Sequence, residues 1–207
     1  MDPEQARLEE DLRGIVSGEV LCDDVGRSLY ATDGSLFEVR PLAVVRPRST
    51  EDVAATVRWA AERGVSVHPR GGGTSLCGGP LGPGIVIDCA RFMRRIVAVR
   101  EGSVRVQPGM VAAQFDTFLA RRRRAFGPDP ANAAVSTIGG MIGRDASGSR
   151  FLRHGSIRQW VESLEVVLAD GTVAEFAATA TAAPPAASES AAAGIAPTAT
   201  PRHRPRG

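Results

Sequence analysis

Lysine is absent from this chain. All 25 basic residues are arginine, against 23 acidic ones, for a net charge of +2. A Walker-type phosphate loop needs Gly-Lys-Ser/Thr and is therefore excluded. Cysteine is scarce: Cys22, Cys77 and Cys89 are odd in number and match no zinc or iron–sulfur spacing. His68, His154 and His203 neither cluster nor repeat at helical spacing, so no metal site is expected. No run approaches the roughly 18 consecutive apolar residues that cross a bilayer. The opening MDPEQARLEEDLRGIV is acidic and amphipathic and lacks the basic start and apolar stretch of a secretory signal. A cytoplasmic protein without a transmembrane segment is the expectation.

What is present is arginine, alanine, glycine and proline in quantity, the mark of a GC-rich gene. The arginines are interleaved with acids, and nucleic acid is not expected as a partner. One cluster, Arg121 to Arg124, falls at the end of a predicted helix, where cations complement loose carbonyls and the helix dipole. Cys89 follows an apolar run and reads as a small buried hydrophobe.

Residues 3–16 read as a helix capped by Asp2, with Leu8, Leu12 and Ile15 on one face. Residues 42–45 form a short strand. Ser49-Thr-Glu-Asp52 has the form of a capping box, Val53, Val57 and Ala61 repeat at helical spacing, and Gly64 ends the helix. Residues 65–68 form the next strand. This strand–helix–strand unit implies parallel pairing of its two strands. Residues 85–87 are a further strand, 96–99 and 104–107 a hairpin, and 111–119 a helix. A long Gly-rich polar stretch then covers 127–150. A strand at 161–168 turns at Asp170-Gly171 toward Val173. From residue 177 the chain is Ala, Pro, Thr and Ser, which cannot bury a core and reads as disordered.

The chemistry concentrates in Pro69-Arg-Gly-Gly-Gly-Thr-Ser-Leu-Cys-Gly-Gly79. Consecutive glycines let several N–H donors converge on phosphate oxygens, and Thr74 and Ser75 add hydroxyls. A Rossmann loop passes straight into a helix, whereas this one returns to a strand. The glycine pattern alone leaves open a wide turn that holds no ligand.

The run HPRGGGTSLCGGPLGPGIVIDCARFMRRI resembles the pyrophosphate loop of FAD-linked oxidases of the vanillyl-alcohol oxidase/PCMH superfamily. GPDPANAAVSTIGGMIGRDASGSRFLRHGS is similar to the segment that lies along the flavin in the group of glycolate oxidase, D-lactate dehydrogenase and D-2-hydroxyglutarate dehydrogenase. SLEVVLADGTV follows in the family's order. YATDGSLFEVRPLAVVRPRSTEDV resembles the lead-in of members fused to an iron–sulfur domain.

The resemblance implies an α+β fold: a PCMH-type FAD-binding domain of two small α/β subdomains with FAD between them. The first covers about 41–90. The second, a mainly antiparallel sheet with its Arg-ended helix, covers about 95–175. It divides the chain into a helical lead-in at 1–40, the FAD-binding domain at 41–176 and the tail at 177–207. Carried onto this sequence, Arg70, Gly71, Gly72, Gly73, Thr74, Ser75 and Gly79 would wrap the pyrophosphate. Thr137, Gly139, Gly140, Gly143, Ala146, Ser147 and Gly148 would wall the cofactor, with Asp129 as a further candidate. Thr74 stands where covalent members carry a flavin-linking His, so non-covalent FAD is expected. Met141, Asp145 and Ser147 depart from the family pattern.

The resemblance also implies a substrate, a small 2-hydroxy acid, if a cap domain is supplied elsewhere. No residue is assigned as a catalytic base; Arg153 and His154 read as loop and surface residues. The family's Ser-Glu-Gly strand and cap have no counterpart after Val173, so the domain is expected to be incomplete at its C-terminus. A frameshift or early stop near residue 175 is the expected cause. Failure to find that strand in any downstream reading frame would refute it.

Overall fold

The computed structural model describes residues 3–177. Both the Asp2 cap and the tail from residue 178 lie outside them. Helix α1 (Pro3–Ile15) buries Leu8 and Leu12, while Ile15, the third member of the expected face, is 39% exposed. Strand β1 (Glu19–Leu21) and helix α2 (Asp24–Leu29) follow, and Asp23 caps α2 through the Gly26 N–H.

Strand β2 (Ala43–Arg46), helix α3 (Thr50–Glu62), strand β3 (Val67–Arg70) and strand β4 (Ile85–Asp88) complete a four-stranded sheet of order β1-β2-β4-β3. Here the expectation of direct β2–β3 pairing fails. Both strands are parallel to β4, which lies between them. The composition of the strands gives the reason. Every residue of β4 is buried, which suits a central position. Strand β3 reads Val-His-Pro-Arg, and Pro69 has no N–H to offer a second neighbour, so β3 takes the edge.

Side chains alternate across this sheet. Ala43, Val45, Ile85 and Ile87 pack with Leu8, Leu12, Val20 and Ala60, while Val44 and Val86 face Tyr30 on the other side. The capping box is half formed. Ser49 Oγ accepts from the Asp52 N–H at 3.3 Å. The Asp52 carboxylate takes the Arg48 N–H at 2.8 Å and the Ser17 N–H at 2.8 Å, so it ties the α1–β1 turn to α3. Gly64 ends the helix at φ +64°.

The second half has its own core of Met110, Phe115, Leu119, Ile138, Met141 and Ile157. Strands β5 (Ile96–Val99) and β6 (Val104–Val106) form one hairpin, and β7 (Ser163–Val167) and β8 (Val173–Ala177) another. Among the described residues these remain two separate two-stranded ribbons, not the single sheet expected. Local turns fix each hairpin, but edges join only through long-range backbone contacts. The ribbons instead meet through side chains, Arg105 with Glu165 at 3.2 Å, while Thr50 Oγ1 holds the same carboxylate from α3 at 2.7 Å.

Helix α4 (Ala112–Ala120) ends in the arginine cluster as expected, and Arg122 donates to the Phe118 carbonyl at 3.2 Å. The 127–150 stretch is less irregular than its sequence suggests. It contains helix α5 (Ile138–Gly143), with α6 (Phe151–His154) and a 3-10 turn (Ile157–Trp160) after it. Each glycine costs a helix about 1 kcal/mol relative to Ala. Burial of Ile138 and Met141 and the Thr137 cap offset that cost.

No helix among the described residues is long and apolar enough to cross a membrane.

Candidate functional site

The loop between β3 and β4 is built to leave donors free. Among the described residues, no backbone N–H from 71 to 76 donates to a protein acceptor. Ser75 is buried, and its Oγ accepts from the N–H groups of Cys77 at 3.2 Å and Gly79 at 3.3 Å. That internal staple ties the far half of the loop, while the near half, with Thr74, keeps its N–H groups unpartnered among the described residues. Gly73 and Gly78 have φ of +66° and +70°, which L side chains avoid.

The glycines answer to protein neighbours. A Cβ at Gly71 would run into Thr137 Oγ1, one at Gly72 into the Val135 carbonyl, and one at Gly73 into the Arg70 guanidinium. The first loop is thus seated directly on the second. Thr137 is buried; its Oγ1 accepts from the Gly140 N–H at 3.2 Å and so caps α5. Gly139 lies against Pro108, with 2.7 Å to that ring from a Cβ placed on the glycine, and its N–H donates to the Pro108 carbonyl at 2.8 Å. Gly143 faces open space.

Other expected site residues belong to a scaffold farther along the second loop. Asp129 accepts from Arg150 Nε at 2.9 Å and Ser149 Oγ at 3.0 Å, and Gly148 packs against it. Burial works to raise the Asp129 carboxyl, but these two donors hold it below the ordinary carboxylate range. Asp145, in the left-handed region at φ +49°, pairs with Arg158 at 2.7 Å. Its carboxyl is held low by the Ser156 hydroxyl and by Arg158. The charge that Asp145 brings is therefore already matched. Ala146 sits in the turn, its N–H bonded to Met141, and Ser147 is exposed. Asp129, Ala146, Ser147 and Gly148 form no hydrogen bond to the first loop among the described residues. Met141 is buried in the second core, which explains an apolar residue there.

Sequence reasoning missed a polar layer beneath the first loop. Tyr30, the chain's single tyrosine, is buried, and its OH donates to Asp88 Oδ2 at 2.6 Å. Arg46 Nε donates to the same OH at 2.9 Å, and Arg46 pairs with Glu19 at 3.0 Å. Burial, with the Asp88 bond adding to it, pushes the Tyr30 phenol up to about 12. Arg70 lies over the Tyr30 ring, 5.2 Å from its centre, and donates to the Tyr30 carbonyl at 3.4 Å. The Asp33-Gly34 turn closes the other flank: a Cβ at Gly34 would stand 2.9 Å from the Ser75 carbonyl. Burial acts to raise the Asp33 carboxyl, yet bonds from Ser35 and the Arg70 charge hold it low.

A cleft of about 2420 Å³ opens elsewhere, between the two hairpins, α4 and α5. Of the expected site residues it touches only Gly139 and Gly143. Its volume exceeds the roughly 300–1,000 Å³ of a small-molecule pocket. The unpartnered N–H groups at 71–76 lie outside this cleft.

Residues 41–177 match the family described as the FAD binding domain. The chain is 37% identical over 162 residues to D-2-hydroxyglutarate dehydrogenase of Escherichia coli (strain K12), covering 76% of this chain and 16% of that protein. It is 35% identical over 165 residues to the glycolate oxidase protein GlcD of Bacillus subtilis (strain 168), covering 76% and 35%. D-lactate dehydrogenase of Archaeoglobus fulgidus is 38% identical over 132 residues, covering 63% and 30%. The chain thus spans from about a sixth to about a third of these relatives. Among solved structures, an alkyldihydroxyacetonephosphate synthase superposes with TM-score 0.73 at 23% identity, over 88% of this chain and 36% of that one. A 6-hydroxy-D-nicotine oxidase from Arthrobacter nicotinovorans does so with TM-score 0.68 at 26% identity, over 78% and 36%.

Proposed function

The chain belongs to the FAD binding domain family, and on that premise we propose that it is the cofactor-binding portion of a flavin-dependent oxidoreductase acting on a small 2-hydroxy acid. The run of unpartnered N–H groups at 71–76, seated on the second loop, carries this reading. A pyrophosphate needs several donors and an adjacent cation, and the loop has unpartnered N–H groups, the Thr74 hydroxyl and Arg70 side by side. The residues present therefore fit the group.

In this reading residues 41–176 form the cofactor unit. Arg70 and the backbone of Gly71, Gly72, Gly73 and Thr74 bind the pyrophosphate, while Ser75 and Gly79 set the loop's shape. Thr137, Gly139, Gly140 and Gly143 form the adjoining wall, and Asp129, Ala146, Ser147 and Gly148 hold its outer turn. Bound FAD would supply the redox chemistry, as acceptor of a hydride from a substrate α-carbon. The relatives' names support a substrate of the D-lactate, glycolate or D-2-hydroxyglutarate class. A hydroxyl at Thr74 forms no bond to a flavin ring, so the cofactor is held non-covalently. The protein acts in the cytoplasm.

A second reading is flavin binding without turnover by this chain alone. The chain's short span of its relatives favours it. Purified protein is titrated with FAD, precipitated with acid, and in parallel mixed anaerobically with D-lactate, glycolate and D-2-hydroxyglutarate. All flavin should appear in the acid supernatant; flavin in the pellet contradicts non-covalent binding. Bleaching by one acid supports the oxidoreductase, and bound flavin without bleaching supports the second reading. No flavin binding at all sinks both.

A further inference from the structure

Register sets a problem at the base of the first loop. Arg70 at the end of β3 is paired across the ladder with Asp88 of β4. An arginine opposite an aspartate would ordinarily form an ion pair, and its charge would then be spent. Here it does not: among the described residues Arg70 forms no ion pair with Asp88, and the one carboxylate on which its charge acts is Asp33, on the flank of the loop. Asp88 is committed elsewhere. Its Oδ2 accepts from Tyr30 OH at 2.6 Å and lies 3.9 Å from Arg46, and its Oδ1 accepts from the Ala90 N–H at 2.8 Å. Tyr30 meanwhile offers Arg70 only uncharged support, the face of its ring and its backbone carbonyl. The guanidinium is pressed against Gly73, in the midst of the open donors.

We propose that Tyr30 is a positioning residue for anion binding: it draws the Asp88 carboxylate away from Arg70 and holds the guanidinium, free of a direct ion pair, at the pyrophosphate loop. The arrangement separates holding an arginine from neutralising it. An aromatic face and a carbonyl fix a guanidinium without a direct ion pair. Arg46 and Glu19 form the rear of the same layer. Arg46 supports the phenol from behind, and Glu19 takes the charge of Arg46, not that of Arg70. The proposal rests on the cofactor reading above.

The test compares affinity for FAD with that for riboflavin, which lacks the pyrophosphate, in the full chain by flavin fluorescence titration. Tyr30→Phe keeps the ring and the carbonyl but frees Asp88 Oδ2 to turn to Arg70. It should weaken FAD binding about tenfold, the size of one charge-assisted contact, and leave riboflavin binding unchanged. Tyr30→Phe/Asp88→Asn should restore FAD affinity to within about twofold of the parent. A structural role for the phenol predicts no such rescue. Asp88→Asn alone, which keeps an oxygen acceptor for Tyr30, should bind FAD at least as tightly as the parent, so it tests the idea should the first variant fold poorly. Unchanged FAD affinity in Tyr30→Phe, equal loss of riboflavin, absence of rescue, or a tenfold loss in Asp88→Asn each overturns the proposal. A parent chain that binds neither FAD nor ADP overturns the cofactor reading itself, a result distinct from all of these.

Discussion

The hydroxyl of Thr137 occupies the space where a side chain at Gly71 would stand. Two segments 66 positions apart in sequence are joined there with nothing between them. Thr137 is itself buried and caps α5, so it has little freedom to withdraw.

Gly71→Ala therefore places a methyl group against a fixed neighbour. Overpacking of this kind costs about 1–3 kcal/mol, and it separates the two loops. Thermal unfolding should shift downward, and FAD affinity should fall with it. A variant as stable as the parent, with unchanged affinity, would show that the loops are not seated as described.

Ser75 acts within its loop. Removing its oxygen leaves the Cys77 and Gly79 N–H groups without an acceptor. Because the loop is partly exposed, water replaces much of that bond, and Ser75→Ala should cost about 1 kcal/mol of stability. The larger effect is on shape: FAD affinity should drop severalfold while ADP and FAD fall together. Loss confined to FAD would place Ser75 at the flavin end instead.

Acid should loosen the outer turn of the second loop. Asp129 and Asp145 are both held below their ordinary value of 3.8. A carboxyl with a depressed folded pKa contributes stability that is complete above its unfolded pKa and is lost as pH falls through the folded one. Both carboxylates are substantially solvent-accessible, so the effect is local and screened by salt. Limited pepsin digestion should cut within 127–158 increasingly below about pH 4. Asp145→Asn should make that cleavage less dependent on pH. An unaltered pH profile in that variant would remove Asp145 from the account.

Much of the fold is legible from residue order because its signals are local. Gly64 stops α3, Ser49 starts it, and Asp170-Gly171 turns the last hairpin. The misreadings all involve distant partners. Pro69 marks β3 as an edge strand, but only the finished sheet shows β4 filling the slot beside it. The IGGMIG segment has poor helix propensity and reads as loop, because the burial of Ile138 and Met141 that supports α5 comes from residues far along the chain. Tyr30 carried one faint signal, being the only tyrosine. Nothing local pairs it with Asp88, 58 positions on.

The sequence by itself determined which phosphate loops this one can resemble. Consecutive glycines and a threonine are what a backbone-donor anion loop requires, and the lack of lysine excludes a Walker loop, because those properties belong to residue types and their immediate order. The family follows from the same order of motifs. Tertiary structure alone decided what each of those residues does. It set Gly71 against Thr137, spent Asp129 and Asp145 on Arg150 and Arg158, and paired Asp88 with Tyr30. Hydrogen bonds and ion pairs act over a few ångströms of space whatever the separation along the chain, so such assignments exist only once the chain is folded.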